Sequence, residues 1–343
     1  MEATLDLEPA RDTLIRWFGE RIGAPVSLSP FDVPAHGGFS HDTLMCSMSW
    51  GHSVRSIVVR VEPGDHAIFP TYDLEAQYRV IEALRVSSGV PVPEVLWWEP
   101  DPSVLGRRFF VMAHVDGRIP PDNPPFVMEG WLHDASLDEQ RRAQAAVVET
   151  LAAVHRVDPR TLALGAALGE LGIDGEIARW RAYLDWAGKG ASLPILETVF
   201  DWCVANRPTD EPHGALCWGD ARFGNVVFGD DFSVLAILDW EMAVLAPPEL
   251  DLGWFLFIHD TTLMWLPDLP GFAPRHVVIA DYERTLGRVA RDLRWYEVWA
   301  GMKAAAIQAQ IVRRSHERGL VPDLLGREET NPVVASLRRL IEV

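Results

Sequence analysis

The residues with the clearest chemical potential lie between positions 217 and 241, CWGDARFGNVVFGDDFSVLAILDWE. Asp220 and Asn225 are separated by four residues, and Asp239 follows the apolar run Leu235-Ala236-Ile237-Leu238. That run and Val226-Val227-Phe228 flank the turn Gly229-Asp230-Asp231, so the segment predicts a β-hairpin that brings Asn225 and Asp239 together. Moving a phosphoryl group from a nucleotide requires a carboxylate to orient and deprotonate the attacking hydroxyl. It also requires hard oxygen ligands to hold Mg²⁺ on the phosphates. Asp220 fits the first need, and Asn225 with Asp239 fits the second. Plainer readings exist for each residue alone: Asp and Asn are common turn residues that bond their own backbone, and turn chemistry accounts for Asp230 and Asp231. It is the joint spacing, hairpin and strand end that favour chemistry.

The elements that must position these residues follow from hydrophobic periodicity. Residues 8–22 carry Leu14, Ile15, Phe18 and Ile22 at helical spacing and end at Gly23. Short β-prone runs follow over 26–62, a helix fits 73–86, and EVLWW and RRFFVMAHV read as two more strands. The second of these ends at Asp116-Gly117, just before the proline-rich RIPPDNPP. A composition shift of this kind marks a boundary, so residues 1–117 are expected to form one α+β lobe and 118–343 a second, mostly helical one. The second lobe opens with Ser136-Leu137-Asp138-Glu139, the capping-box spacing, and its helix is expected to reach His155. Further helices are expected over 174–187, 193–206, 249–265, 275–289 and 293–317, interrupted by the hairpin at 225–239. His155 falls on an apolar helix face and reads as a hydrogen-bonded core residue. Trp180, Trp186, Trp254 and Trp265 read as core packing.

Composition narrows the class. The chain has 343 residues with 31 Lys and Arg against 49 Asp and Glu, a net charge of −18. Such a surface disfavours nucleic acid or an anionic membrane as partner. No apolar run approaches the ~20 residues of a bilayer span, and the first residues lack the basic start and apolar stretch of a secretion signal. The expectation is a cytoplasmic protein. Cys46, Cys203 and Cys217 show no metal-ligand spacing and are expected to be buried free thiols. Only Lys189 and Lys303 are lysines, so nearly every cation is an arginine.

Three motifs in order resemble the aminoglycoside phosphotransferase-like family of small-molecule kinases. They are Trp218-Gly219-Asp220 through Asn225, Leu238-Asp239-Trp240-Glu241, and Pro248-Glu249-Leu250-Asp251-Leu252-Gly253-Trp254. The resemblance spans roughly residues 30–260. It implies a bilobal protein-kinase-like fold of the α+β class, with an antiparallel sheet and helix in the N-terminal nucleotide-binding lobe and a helical catalytic and acceptor-binding C-terminal lobe. It implies ATP or GTP and Mg²⁺ as cofactors, a hydroxyl-bearing small molecule as acceptor, Asp220 as the catalytic base, and Asn225 and Asp239 as metal ligands. It further implies that Asp251 accepts hydrogen bonds from the catalytic loop, although a carboxylate at a helix N-terminus is also favoured by the dipole alone. Trp218 stands where the family has a histidine, which affects loop geometry more than chemistry.

In the first lobe, Gly37-Gly38-Phe39-Ser40 sits between strands, where glycines let backbone amides approach phosphate oxygens. By resemblance this is the nucleotide-positioning loop, with Gly38 and Ser40 facing phosphate. The family's phosphate lysine is absent, because no lysine precedes residue 189. Arg60, in Ile57-Val58-Val59-Arg60, occupies the matching strand position and is read as the phosphate cation; a guanidinium holds phosphate bidentately but is bulkier than an ammonium. An edge-strand arginine reaching solvent is the plainer reading. Gln77 matches the family glutamate and Glu75 lies two residues earlier, so Arg60 has Glu75, Gln77 or neither as its pair. By resemblance, Phe109–Gly117 is the hinge, with main-chain groups of Ala113 and Val115 reading the purine base. Two rival functions keep the same fold: a nucleotide-binding pseudokinase without transfer, and nucleotidyl transfer. The oligomeric state is not legible in the sequence.

Overall fold

The structure, a computed structural model, describes residues 5–32, 42–64, 67–169, 172–188, 194–209, 214–263, 266–317, 319 and 332–341. The first part is two helices and a five-stranded antiparallel sheet. Helix α1 (Leu7–Ile22) precedes β1 (Val26–Leu28), β2 (Asp42–Trp50) and β3 (Ser53–Val61); α2 (Leu74–Ser87) follows, and then β4 (Val95–Glu99) and β5 (Phe109–Ala113). The sheet order is β1-β2-β3-β5-β4. Side chains alternate across a strand, and β3 shows it: Ile57, Val59 and Val61 pack against Leu14, Trp17 and Phe18 of α1. Val58, with Phe110 and Met112 of β5, packs on the opposite face against α2. Arg60 shares that second face. A shift of register by one residue would bury Arg60 against α1, so the apolar pattern of β3 fixes where its cation points.

The second part holds α3 (Leu137–His155), α4 (Gly165–Leu168), α5 (Gly172–Gly188) and α6 (Pro194–Ala205), then β6 (Ala215–Cys217), β7 (Val226–Phe228), β8 (Val234–Ile237) and β9 (Val244–Ala246), and finally α7 (Glu249–Thr262), α8 (Arg275–Leu286), α9 (Leu293–Glu317) and α10 (Pro332–Ile341). The capping box of α3 is formed, with Ser136 Oγ accepting from Glu139 N–H and Glu139 Oε2 accepting from Ser136 N–H. The expected hairpin is present as the β7–β8 pair, Val226 opposite Ile237. The β6–β9 pair and the short α4 were not expected; runs of three or four residues carry too little periodicity to stand out. Three further differences remain: α7 ends at Thr262 and α8 at Leu286, shorter than the apolar pattern suggested, and α10 lies beyond the last helix expected.

The two parts meet at the hairpin. Ile237 N–H donates to Pro91 O at 2.9 Å, and Arg118 exchanges backbone bonds of 2.8 Å with Phe228. The segment after Gly117 thus adds a rung to β7 rather than hanging free. Burial of Trp295, Tyr296 and Trp299 confirms the aromatic stripe of α9 as core, with the Trp295 and Trp299 rings stacked at 5.5 Å. Among the described residues, no helix is long and apolar enough to cross a membrane.

Candidate active site

The loop from Trp218 to Asn225 runs from β6 into β7. Its entry demands glycine: Gly219 has φ +93°, and a Cβ there would lie 2.3 Å from Met242 O. Asp251, in the first turn of α7, then holds the loop. Its carboxylate accepts from Trp218 N–H at 2.5 Å and from Gly219 N–H at 2.8 Å. His155 Nε2 lies 3.1 Å from Asp251 Oδ2 and His155 Nδ1 2.7 Å from Tyr282 Oη. An ionised carboxylate only accepts, so Nε2 carries the proton and Nδ1 accepts from the tyrosine hydroxyl. Both expectations for these residues hold: His155 is a bonded core histidine, and Asp251 accepts from the loop while also sitting at a helix N-terminus. His155, Cys217 and Asp251 cluster within 4.8 Å, but the histidine and carboxylate are engaged in this network and burial raises the Cys217 thiol pKa well above its ordinary value. The cluster is a support.

Trp218, in place of the family's histidine, donates from Nε1 to Leu238 O at 2.7 Å. Its indole therefore ties the loop to the residue before Asp239. Asn225 completes that link, since its backbone oxygen accepts from Leu238 N–H at 2.8 Å. Asp220, Asn225 and Asp239 are thus joined through one hairpin.

Asp220 accepts three hydrogen bonds. Arg222 Nε donates to Oδ2 at 2.9 Å, Asn225 Nδ2 to the same oxygen at 2.7 Å, and Trp254 Nε1 to Oδ1 at 2.9 Å. A carboxylate has about four acceptor positions, so the carboxylate is oriented with room for one more donor. Because its amide nitrogen faces Asp220, Asn225 turns Oδ1 away, and no described donor reaches that oxygen. Asp239 adopts φ +63°, a left-handed conformation that an L-residue holds only when its surroundings enforce it, at about 1–3 kcal/mol. The strain sits at one of the three chemically suggestive positions.

Arg60 reaches the same place from β3. Its guanidinium donates to Asp239 Oδ1 at 3.1 Å, a partner the sequence did not suggest. Glu75 turns to solvent and pairs with Arg79 at 3.6 Å. Gln77 is buried and lines, with Arg60 and Asp239, a cavity of about 10 Å³, room for about one water. At the end of β5, Ala113 N–H donates to Glu94 O at 2.8 Å, so its amide is used within the sheet; Val115 follows the strand, half-buried. Gly38 and Ser40 lie outside the described residues. Arg222 and its partner Asp122 were not anticipated. Burial alone would lower the Arg222 pKa, yet the Asp220 and Asp122 carboxylates outweigh it and raise it. Asp122 is 100 residues away in sequence, which no spacing rule reaches.

An antiparallel sheet with a helix on each face, joined to a helical part through a loop and hairpin bearing Asp, Asn and Asp, defines a kinase-like phosphotransferase fold. The model of the phosphotransferase enzyme family matches residues 34–297, and the chain belongs to that family. Among curated relatives, acyl-CoA dehydrogenase family member 11 of Gallus gallus is 34% identical over 206 residues, 58% of this chain and 25% of that protein. The Homo sapiens protein of the same name is 30% identical over 203 residues. The match spans about a quarter of these relatives' length. A solved structure of a candidate aminoglycoside phosphotransferase from Ralstonia eutropha aligns with TM-score 0.69 at 23% identity, covering 96% of this chain and 95% of that one. A ternary complex of aminoglycoside phosphotransferase APH(4)-Ia with AMP-PNP and hygromycin B aligns with TM-score 0.54 at 17% identity, covering 94% and 98%. At such identities the likeness establishes the fold.

Proposed function

We propose that this chain transfers the γ-phosphoryl group of ATP or GTP, with Mg²⁺, to a hydroxyl of a small molecule. The observation that carries this reading is the convergence of Asp220, the outward-turned Oδ1 of Asn225, and a strained Asp239 paired with Arg60. The donor set fits a hard divalent cation: carboxylate and amide oxygens, no thiolate among them, beside a guanidinium suited to phosphate. Bound Mg²⁺ would neutralise charge on the phosphates.

The chain's own residues do the rest. Asp220, aligned by Arg222, Asn225 and Trp254, offers its remaining acceptor position to the acceptor's hydroxyl and takes its proton as attack proceeds. Asn225 Oδ1 and Asp239 hold the metal. Arg60 exchanges Asp239 for phosphate oxygens when nucleotide enters, assisted by Gly38 and Ser40. The Ala113 carbonyl and the Val115 amide, both main-chain groups, hydrogen-bond the base. Residues 1–117 act as the nucleotide lobe and 118–343 as the catalytic lobe, so the site lies along their seam. Complexes of APH(4)-Ia with AMP-PNP, and with ADP, favour an adenine nucleotide for this chain. The acidic surface is compatible with a cationic acceptor.

The test is nucleotide consumption against a panel of hydroxylated metabolites, with and without Mg²⁺, followed by product mass. A gain of one phosphate supports the reading. A gain of nucleotide, or binding without product, rejects it.

A further inference from the structure

Lys303 is one of two lysines in the chain, and it lies on α9 with 2% of its surface exposed. Its ammonium is 3.9 Å from Glu176 Oε2, too far for a hydrogen bond, and neither Glu176 oxygen accepts one; Arg179, at 3.6 Å from Oε1, shares that carboxylate. Elsewhere this protein pairs a buried carboxylate differently. Arg288 grips Glu249 with two bonds of 2.8 Å. A loosely paired buried lysine is a poor stabilising device, since desolvation outweighs the attraction and replacing the whole pair by apolar residues is often neutral or stabilising. Burial pushes the Lys303 pKa below its ordinary value, Glu176 opposing, so holding the charge disfavours the folded state at neutral pH.

What the ammonium touches is aromatic. It lies 5.1 Å from the ring of Trp180 and 5.3 Å from that of Trp254, within cation–π range of both. Trp254 is the residue whose Nε1–H donates to Asp220 Oδ1. Its neighbour Gly253 lets α9 approach α7, because a Cβ there would lie 2.7 Å from Tyr296 Cβ. Helix α9 therefore delivers a cation to the face of an indole whose edge holds the candidate base. A cation on that face fixes the ring plane and draws electron density from the N–H, making it the stronger donor.

We propose that Lys303 is a positioning residue, acting through the Trp254 indole to orient the Asp220 carboxylate. The proposal rests on the phosphotransferase reading for its catalytic consequence but not for its geometry. The experiment uses the full chain labelled with ¹⁵N-tryptophan, the Trp254 indole resonance being assigned with Trp254→Phe. In Lys303→Met the indole proton should move upfield, as a weakened donor does, and the melting temperature should fall, because the buried Glu176 is left with only Arg179 at 3.6 Å. Turnover of ATP should fall about tenfold with the nucleotide KM nearly unchanged, using the acceptor found in the panel or water where none is found. Lys303→Arg should return both readouts towards the wild-type values. If Lys303→Met fails to fold, the double variant Lys303→Met with Glu176→Gln, which removes the cation without leaving a buried carboxylate, should give the same displacement. An unmoved indole resonance overturns the proposal, as does unchanged turnover in Lys303→Met where Asp220→Ala is inactive. Should the wild-type protein consume no nucleotide, the phosphotransferase reading fails and the resonance alone decides this one.

Discussion

Two regions of this molecule carry the same kind of motif and treat it differently. In the segment from β6 to α7 every motif position finds a partner close by: Asp251 holds the loop amides, Trp218 stands in for histidine and still reaches Leu238 O, and Asn225 bonds Asp220. Across the sheet, the lysine and glutamate expected of the family are replaced by Arg60 and Gln77, and Arg60 bonds Asp239 on the hairpin. The difference follows from how each group is held. A loop pinned at several backbone atoms accepts only residues that preserve those bonds, whereas a long cation meeting a flexible triphosphate needs only charge within reach.

The strongest way to break that comparison is to remove the pinned carboxylates. Asp220→Ala and Asp239→Ala should each lower kcat by about 10²-fold or more without unfolding the protein; turnover near that of the wild type would reject their roles. Next, Asp251→Asn leaves at least one buried loop amide facing an N–H rather than an oxygen. Denaturant unfolding should report a loss of about 3 kcal/mol, and an unchanged midpoint would show that the loop is not held from α7.

The sheet side should respond more mildly and more tolerantly. Arg60→Ala is expected to raise the nucleotide Kd about tenfold, with Arg60→Lys closer to wild type. Equal impairment in both, measured by calorimetric titration, would show that the guanidinium fork is required and the plasticity illusory. Glu75→Gln should change nothing beyond about twofold, since its pair with Arg79 faces solvent.

Thiol reactivity gives the smallest effect and a finer comparison of the same regions. Burial pushes the Cys46 pKa up to about 11 and the Cys203 pKa to about 12, and Cys217 is raised as well. A raised thiol pKa keeps the group protonated as pH climbs through 8, so the native protein should react little with Ellman's reagent. All three cysteines should react after denaturation. Cys46, in the sheet, should react first in slow native modification, and Cys217, at the foot of the catalytic loop, last. The reverse order would mean that the catalytic segment opens more readily than the sheet.

Much of this was legible before any coordinates. The Asp-x4-Asn spacing, the Gly-Asp turn and the apolar strand before Asp239 lie within about twenty residues, and local geometry dictates how such a segment closes. The capping box of α3 and the alternation of β3 are equally local. Arg222 was overlooked although it sits inside the motif; an arginine two residues after the candidate base was the available signal. The sequence left the partner of Arg60 open between Glu75, Gln77 and neither, and it could not point to Asp239, which is 179 residues away.

What the amino-acid order determined alone is therefore most of the longer elements, the hairpin, and the residue types that can meet a nucleotide. Short-range periodicity and turn chemistry act over a few residues and depend on no distant contact. Only the tertiary structure decided which groups face one another: Arg60 of the sheet with Asp239 of the hairpin, and, among residues after 117, Asp122 with Arg222, Trp254 with Asp220, and Lys303 behind it. Those pairings arise from packing a sheet against helices, and side-chain direction at such a junction is set by the whole core rather than by any neighbour in the chain.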